Sequence, residues 1–375
     1  MNFVEERKLH DVQNLSNIIT AAGGSFNSVE FRENGIEGIG IFASKDIAEN
    51  DVILSIPYDC CISLKSVQES DLDSVLSDFP GLLDYPDEVL VLALMNAKYN
   101  GESKWNDHVR TMPHRFNTTI YWSDEELEEI KECMTYHLTK LMRNQILSDW
   151  NTIHSPIIEK FPNLFPNVNI ETYKWALSII YSRAIGLTRS GVYCRCIPPV
   201  LDMANHYPFK TTHLDETLAY EANEDNIVLL SNHKVSKNEQ IYALHGPYPN
   251  AKLAFNYGFV IVKNPYRAID LWTRVPPTSF EANRKTDILS SHALTKVQTY
   301  DFSGTLREGY ISPALLATLR IIQINSEEEF ARAENAFRGR IISYRNELTA
   351  YTSLRCLLVN RLHPERVEVT AGQEL

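Results

Sequence analysis

Ile197-Pro198-Pro199-Val200-Leu201-Asp202-Met203-Ala204-Asn205-His206 is the stretch on which the reading of this chain turns. Alone, His206 reads as a hydrogen-bonded core histidine. Immediately upstream, Cys194-Arg195-Cys196 is a single cysteine pair. No second pair follows it, so a four-ligand zinc site lacks candidates and no metal is expected.

Working outward, the flanking segments have different periods. Asn226-Ile227-Val228-Leu229-Leu230 and Gln240-Ile241-Tyr242-Ala243-Leu244 read as strands, as do Gly40-Ile41-Phe42-Ala43 and Asp51-Val52-Ile53-Leu54-Ser55-Ile56-Pro57. The last two are expected to form a hairpin, in an ordered region opening near Phe31. From about Val67 the period becomes helical. Val89, Leu92 and Met95 share a face, a capping box at Ser123 and Glu126 leads Leu127, Ile130, Met134, Leu138 and Leu141, and a further helix covers Ile170 to Ala184. After Lys263 helical signals return: Ser312-Pro313 reads as an N-cap with proline at N1, and a second box, Ser326 to Glu329, precedes a long amphipathic run to Leu358. No internal repeat is found.

With 375 residues, the chain exceeds the ~250–300 residues at which a single core stops growing, so two lobes are expected. The longest apolar run, Val89 to Met95, is far short of the ~20 residues of a membrane span, and the N-terminus is charged from Glu5. A soluble, unsecreted protein without membrane partners is expected. Six scattered cysteines do not make a disulfide framework and suit a reducing compartment, the cytoplasm first and the nucleus second. A net charge of −12 argues against nucleic-acid binding and suits a basic protein partner.

Gly38-Ile39-Gly40-Ile41-Phe42-Ala43 matches a loose dinucleotide fingerprint. That motif needs a helix directly after it, and only the seven residues Ser44 to Asn50 precede the next strand. Glycines easing a tight turn explain the segment as well. No P-loop, His-Glu-x-x-His or Gly-x-Ser-x-Gly motif is present.

Taken in order, Glu37-Gly38-Ile39, then Ser182-Arg183-Ala184, then Asp202-x-x-Asn205-His206, then Asn256-Tyr257-Gly258-Phe259 resemble the SET-domain methyltransferases, within them the Rubisco large-subunit lysine methyltransferase branch. The resemblance covers residues 25 to 262; beyond that, only length and helical character agree. It implies an α+β fold: a β-rich SET core with a knot-like crossing, interrupted by a helical insert, plus a C-terminal all-helical substrate-binding domain. The implied boundaries are 1–66 for the first part of the core, 67–175 for the insert, 176–262 for the second part, and 263–375 for the substrate-binding domain.

The resemblance also implies S-adenosylmethionine as cofactor and a lysine of a non-histone protein as methyl acceptor, ribosomal proteins or translation factors foremost, the enzyme being a monomer. Glu37, Gly38, Ile39, Arg183, Asn205, His206 and Tyr257 fall at cofactor positions. Asp202, Tyr220, Tyr242 and Ile185 fall on the acceptor side, and Tyr257 matches the catalytic tyrosine. Three departures stand out. His245 occupies the position of a tyrosine, Ile185 replaces the asparagine of the histidine-methylating branch, and no cysteine-rich tail follows Tyr257. The readings left beside lysine methylation are a non-catalytic SET-fold binding module and a histidine methyltransferase.

Overall fold

The computed structural model describes residues 9–34, 38–189, 191–206, 220–222, 225–231, 233–246, 248–266, 268–292, 294, 297–301 and 311–362. The chain divides into two compact units, Met1–Pro247 with Ala251–Ile261, and Tyr248–Asn250 with Val262–Leu375. Among the described residues no helix is long and apolar enough to cross a membrane, and all six cysteines are free thiols.

The first unit opens with a helix, Leu9–Ala21, which buries Val12, Leu15 and Ile19. Its i, i+3, i+7 spacing is legible in the sequence. The ordered chain therefore begins well before Phe31. Eleven described strands follow in this unit: β1 Ser25–Phe26, β2 Val29–Glu33, β3 Ile39–Ala43, β4 Val52–Pro57, β5 Ile62–Ser63, β6 Ile185–Arg189, β7 Val192–Ile197, β8 Asn205–His206, β9 Tyr220–Ala222, β10 Asn226–Leu230 and β11 Gln240–Ala243. They form small sheets in the orders β1-β4-β10-β9, β2-β3-β11-β8 and β5-β7-β6.

The hairpin expected of β3 and β4 does not form. β3 pairs with β2 and β11, while β4 pairs with β1 and β10. Ile47, in the connection, bridges to Val235 instead, and this turns the chain from one sheet into the other. No helix follows Gly38–Ala43, as the refusal of the dinucleotide reading requires. The β4–β10 ladder, with Ile56 opposite Ile227, joins strands from before and after the helical stretch.

Within that stretch, the helix Pro86–Tyr99 buries every residue from Val89 to Ala97. It packs against Ile170–Arg183, and the resulting core includes Trp105, Phe165, Tyr173 and Trp175. The second helix starts at a built cap: the Asn169 side chain accepts from the backbone N–H groups of Glu171 and Thr172, and Thr172 Oγ1 accepts from Asn169 N–H. The capping box at Ser123 is also present, but its helix is only Asp124–Glu128. A new helix, Met134–Asp149, then leaves Leu141 exposed, so the single pattern from Leu127 to Leu141 is interrupted by a turn.

The second unit is built around Pro313–Ile322 and Tyr344–Leu362, with Leu315 and Leu319 packed on Ala350 and Leu354. Arg320 makes a two-pronged pair with Glu347 at 2.7 Å on each arm. Two corrections apply here. The lobe expected to be all-helical also holds an antiparallel pair, β12 Ala268–Trp272 with β13 Val297–Asp301. The run after Ser326 is three helices, Glu327–Phe330, Glu334–Phe337 and Tyr344–Leu362, broken where Gly339 takes φ +70°. Glu329 does not close the box onto Ser326. Its carboxylate accepts from Asn325 N–H and from Arg345, the stronger, charge-assisted partner.

Candidate active site

The site forms where β8 runs parallel to β11, with Asn205 in register with Tyr242 and His206 with Ala243. The Pro-Pro stretch reaches β8 through a strained turn. Val200, fully buried, adopts φ +58° and ψ −14°, and a single 3-10 turn, Leu201–Met203, follows. A β-branched residue in the left-handed region costs on the order of 1–3 kcal/mol and persists only where packing imposes it. Its consequence is positional: Asp202 and the Asn205-His206 pair are turned out of the sheet direction at a fixed place.

Asp202 Oδ2 accepts from Arg183 Nε at 2.7 Å, with both side chains nearly buried. Arg183 is the last residue of Ile170–Arg183, and its Nη1 donates to Ser182 Oγ at 2.9 Å. Its Nη2 has no hydrogen bond among the described residues. One ion pair thus joins a residue assigned to the cofactor and one assigned to the acceptor.

His206 Nδ1 accepts the backbone N–H of His245 at 3.1 Å. That bond assigns the ring proton to Nε2, a buried donor with no acceptor among the described residues. Asn205 Nδ2 is a second buried donor without a partner among the described residues. Such a group costs about 1–3 kcal/mol of unrecovered desolvation. Two adjacent cases mark a place prepared for a ligand with acceptors.

Tyr257 lies just past the helix Asn250–Asn256, its N–H returning to Leu253 O at 2.9 Å. The His245 ring stacks on the Tyr257 ring, 5.5 Å between centroids and 9° between planes, and His206 stands 5.1 Å from His245 and 5.7 Å from Phe259. Burial drives His206 down to about 4; burial together with the neighbouring His206 and Arg183 drives His245 down to about 3. Both imidazoles are neutral at neutral pH, so neither ring places a charge beside Tyr257.

Gly258 fixes this turn. It has φ +81°, and a side chain there would come within 2.8 Å of the Asn117 backbone carbon. Asn117 Nδ2 donates to Gly258 O at 3.4 Å. Glycine is needed both for the conformation and for the close approach.

Of the residues assigned from the sequence, the structure brings Asn205, His206, Tyr242 and Tyr257 to one ladder and its adjoining turn, and couples Arg183 to Asp202. Gly38, at φ +74°, and Ile39 open β3, the neighbour of β11. Ile185, half-buried, opens β6, and β9, begun by Tyr220, approaches that strand. Glu37 lies outside the described residues, as does the side chain of Tyr220. Sequence reasoning assigned no site role to His245, noted only as a departure, or to Phe259. It also assigned nothing to His108, which is buried, has no partner on either ring nitrogen among the described residues, and lies within electrostatic reach of Asp202 and Arg183. Nothing local at position 108 signals this.

A family model described as Rubisco LSMT substrate-binding matches residues 276–364. The ribulose-1,5 bisphosphate carboxylase/oxygenase large subunit N-methyltransferase of Pisum sativum is 28% identical over 317 residues, 81% of this chain and 62% of that protein. The fructose-bisphosphate aldolase-lysine N-methyltransferase of Arabidopsis thaliana is 27% identical, with the same shares covered. The actin-histidine N-methyltransferase of Gallus gallus is 23% identical, covering 82% of this chain and 52% of that protein. The chain thus spans about three fifths or less of the length of these curated relatives. A crystal structure of the SET domain of LSMT bound to MeLysine and AdoHcy aligns with a TM-score of 0.72 at 25% identity, covering 94% of this chain and 81% of that one. A structure of Rubisco LSMT bound to AdoMet aligns with a TM-score of 0.69 at 26% identity, over the same shares.

Proposed function

We propose that this chain, whose fold is that of the SET-domain proteins of the Rubisco large-subunit methyltransferase branch, transfers methyl groups from S-adenosylmethionine to a lysine amine on a protein. The observation that carries the reading is the pair of buried donors without a partner among the described residues, Asn205 Nδ2 and His206 Nε2, beside the stacked rings of His245 and Tyr257. A ligand with amino-acid and adenine parts offers acceptors for both donors. Arg183 Nη2 remains for a carboxylate, and the Gly38 turn leaves backbone open to close approach.

When bound, S-adenosylmethionine supplies a methyl group activated on a sulfonium. The chain's own work is to align, desolvate and present a neutral amine, since in-line displacement needs no nucleophile on the protein. A lysine starts near pKa ~10.4, and enclosure among Ile185, Tyr242 and the Tyr257 ring favours loss of its proton. The Tyr257 hydroxyl then orients the lone pair. Neutral His206 and His245 keep a second positive charge away from that phenol. Asp202, held by Arg183, serves to fix the guanidinium, which leaves the acceptor side to Tyr257, Tyr242, Tyr220 and Ile185.

Lysine is preferred to histidine because Ile185 offers no polar atom to orient an imidazole. Ribosomal proteins and translation factors are the first acceptors to try, with a basic surface around the target lysine matching the acidic chain. The test uses the purified chain, labelled S-adenosylmethionine and a cell extract stripped of its own methyltransferases, with mass spectrometry of the labelled protein. Methyl on lysine Nζ is expected, and Tyr257→Phe should lower turnover about 100-fold while cofactor affinity holds. A mark on imidazole would install the histidine reading. Cofactor binding without any S-adenosylhomocysteine produced would make the chain a binding module.

A further inference from the structure

The helix Tyr344–Leu362 is apolar on two sides. Ala350 and Leu354 face the core of their own unit. Tyr344, Leu348, Tyr351 and Val359 recur at helical spacing on the opposite side and are exposed, Tyr344 to 82% and Leu348 to 63%. A helix that only closes its own unit presents polar residues on its outer face.

Along this helix Arg345 and Glu347 are both in ion pairs, and the charge left without an ionic partner among the described side chains is positive. Arg355 stands exposed within the stripe, and Arg338 and Arg340 lie exposed just ahead of the helix. None of the three has an ionic partner among the described residues, whereas Arg320 and Arg345 of the same unit are matched by Glu347 and Glu329. In a chain of net charge −12, unneutralised guanidinium groups beside bare aromatic and aliphatic surface complement one kind of partner. Guanidinium forks pair with carboxylates, and exposed Tyr and Arg are the residue types that anchor interfaces.

We propose that this stripe docks an acidic, amphipathic segment of the methyl-acceptor protein, apart from the target lysine. The proposal rests on the protein-acceptor reading above and adds a second point of recognition. A second copy of the chain is a poor occupant, because a two-fold contact through the stripe would set Arg355 against Arg355.

The test is selection from a phage-displayed library of random peptides about 16 residues long, a length giving roughly four helical turns, on the full chain. The double variant Leu348→Glu with Arg355→Glu serves as counter-selection. Both positions are exposed, and thermal unfolding checks that the variant folds; Arg355→Glu alone replaces it otherwise. Enriched peptides should carry Asp or Glu between apolar residues at helical spacing, and a synthetic copy should lose at least about tenfold in affinity, roughly 1.4 kcal/mol, on the variant. Basic peptides, peptides that ignore the substitutions, or no enrichment would overturn the proposal. So would sedimentation showing a dimer that the double variant abolishes. Methyl transfer to a short lysine peptide should be unchanged in the variant. Docking without any methyl transfer would sink the enzymatic reading and leave the docking surface standing.

Discussion

The helix Pro86–Tyr99 and the β8–β11 ladder belong to the same unit but are held by opposite means. The helix is buried on every side from Val89 to Ala97, and its buried Asn96 and the facing Trp175 still find acceptors, at Leu164 O and Pro113 O. The ladder has only two register pairs among the described residues, a strained valine ahead of it, neutral His206 within it and neutral His245 just past it, and buried donors with no partner among those residues. One region is built from bulk apolar burial, which stabilises without regard to direction. The other gives up stability for direction. A ligand with matching acceptors would recover what the ladder leaves unsatisfied, whereas the helix has nothing to gain from one.

That contrast can be broken at its stable end first. Leu92→Ala should cost about 2–5 kcal/mol, as a cavity in a packed core does, in urea unfolding, while the affinity of the folded fraction for S-adenosylhomocysteine stays unchanged. Altered affinity with little loss of stability would mean that the helix takes part in the site. Gly258→Ala probes the turn that follows Tyr257, where it meets the Asn117 backbone. A side chain at φ +81° against the Asn117 backbone should cost about 2–4 kcal/mol, combining left-handed strain and overpacking, and should lower turnover as Tyr257 moves. Full activity in a destabilised variant would detach the turn from catalysis.

His108 tests the electrostatics. Burial holds it down to about 4, below its ordinary 6.5, so at pH 8 it is neutral folded and unfolded and contributes no pH dependence. Below 6.5 the unfolded chain takes the proton first, and stability falls as pH drops from 6.5 toward about 4. His108→Leu should therefore be about 2 kcal/mol less acid-sensitive at pH 5 than the wild type, comparing unfolding free energies at pH 8 and pH 5. The same loss in both proteins would exclude His108 as a source. The smallest effect is expected at Asn205→Ala. Calorimetry with S-adenosylhomocysteine should show about tenfold weaker binding, roughly 1.4 kcal/mol, with unliganded stability unchanged or raised, since a buried unpaired donor is removed. Unaltered binding would leave that donor without a function.

Much of the fold was legible because its signals are local. The strands β10 and β11, the cap at Ser123 and the helix Ile170–Arg183 follow from period and capping chemistry within a few residues. The missed features are non-local. β3 pairs with β11 and Ile47 bridges to Val235, partners far apart in the chain. The exception is the helix Leu9–Ala21, whose spacing of Val12, Leu15 and Ile19 is local and legible.

For the site, the ordered motifs pointed to Arg183, Asp202, Asn205, His206 and Tyr257 as residue types. The sequence by itself determined which side chains are available, because hydrogen-bonding capacity and helix or strand preference belong to the residue and its near neighbours. Only the tertiary structure decided how they are spent. Burial made the histidines neutral, the turn at Val200 aimed Asp202 at Arg183, and the stacking of His245 on Tyr257 depends on ring positions that no spacing along the chain encodes.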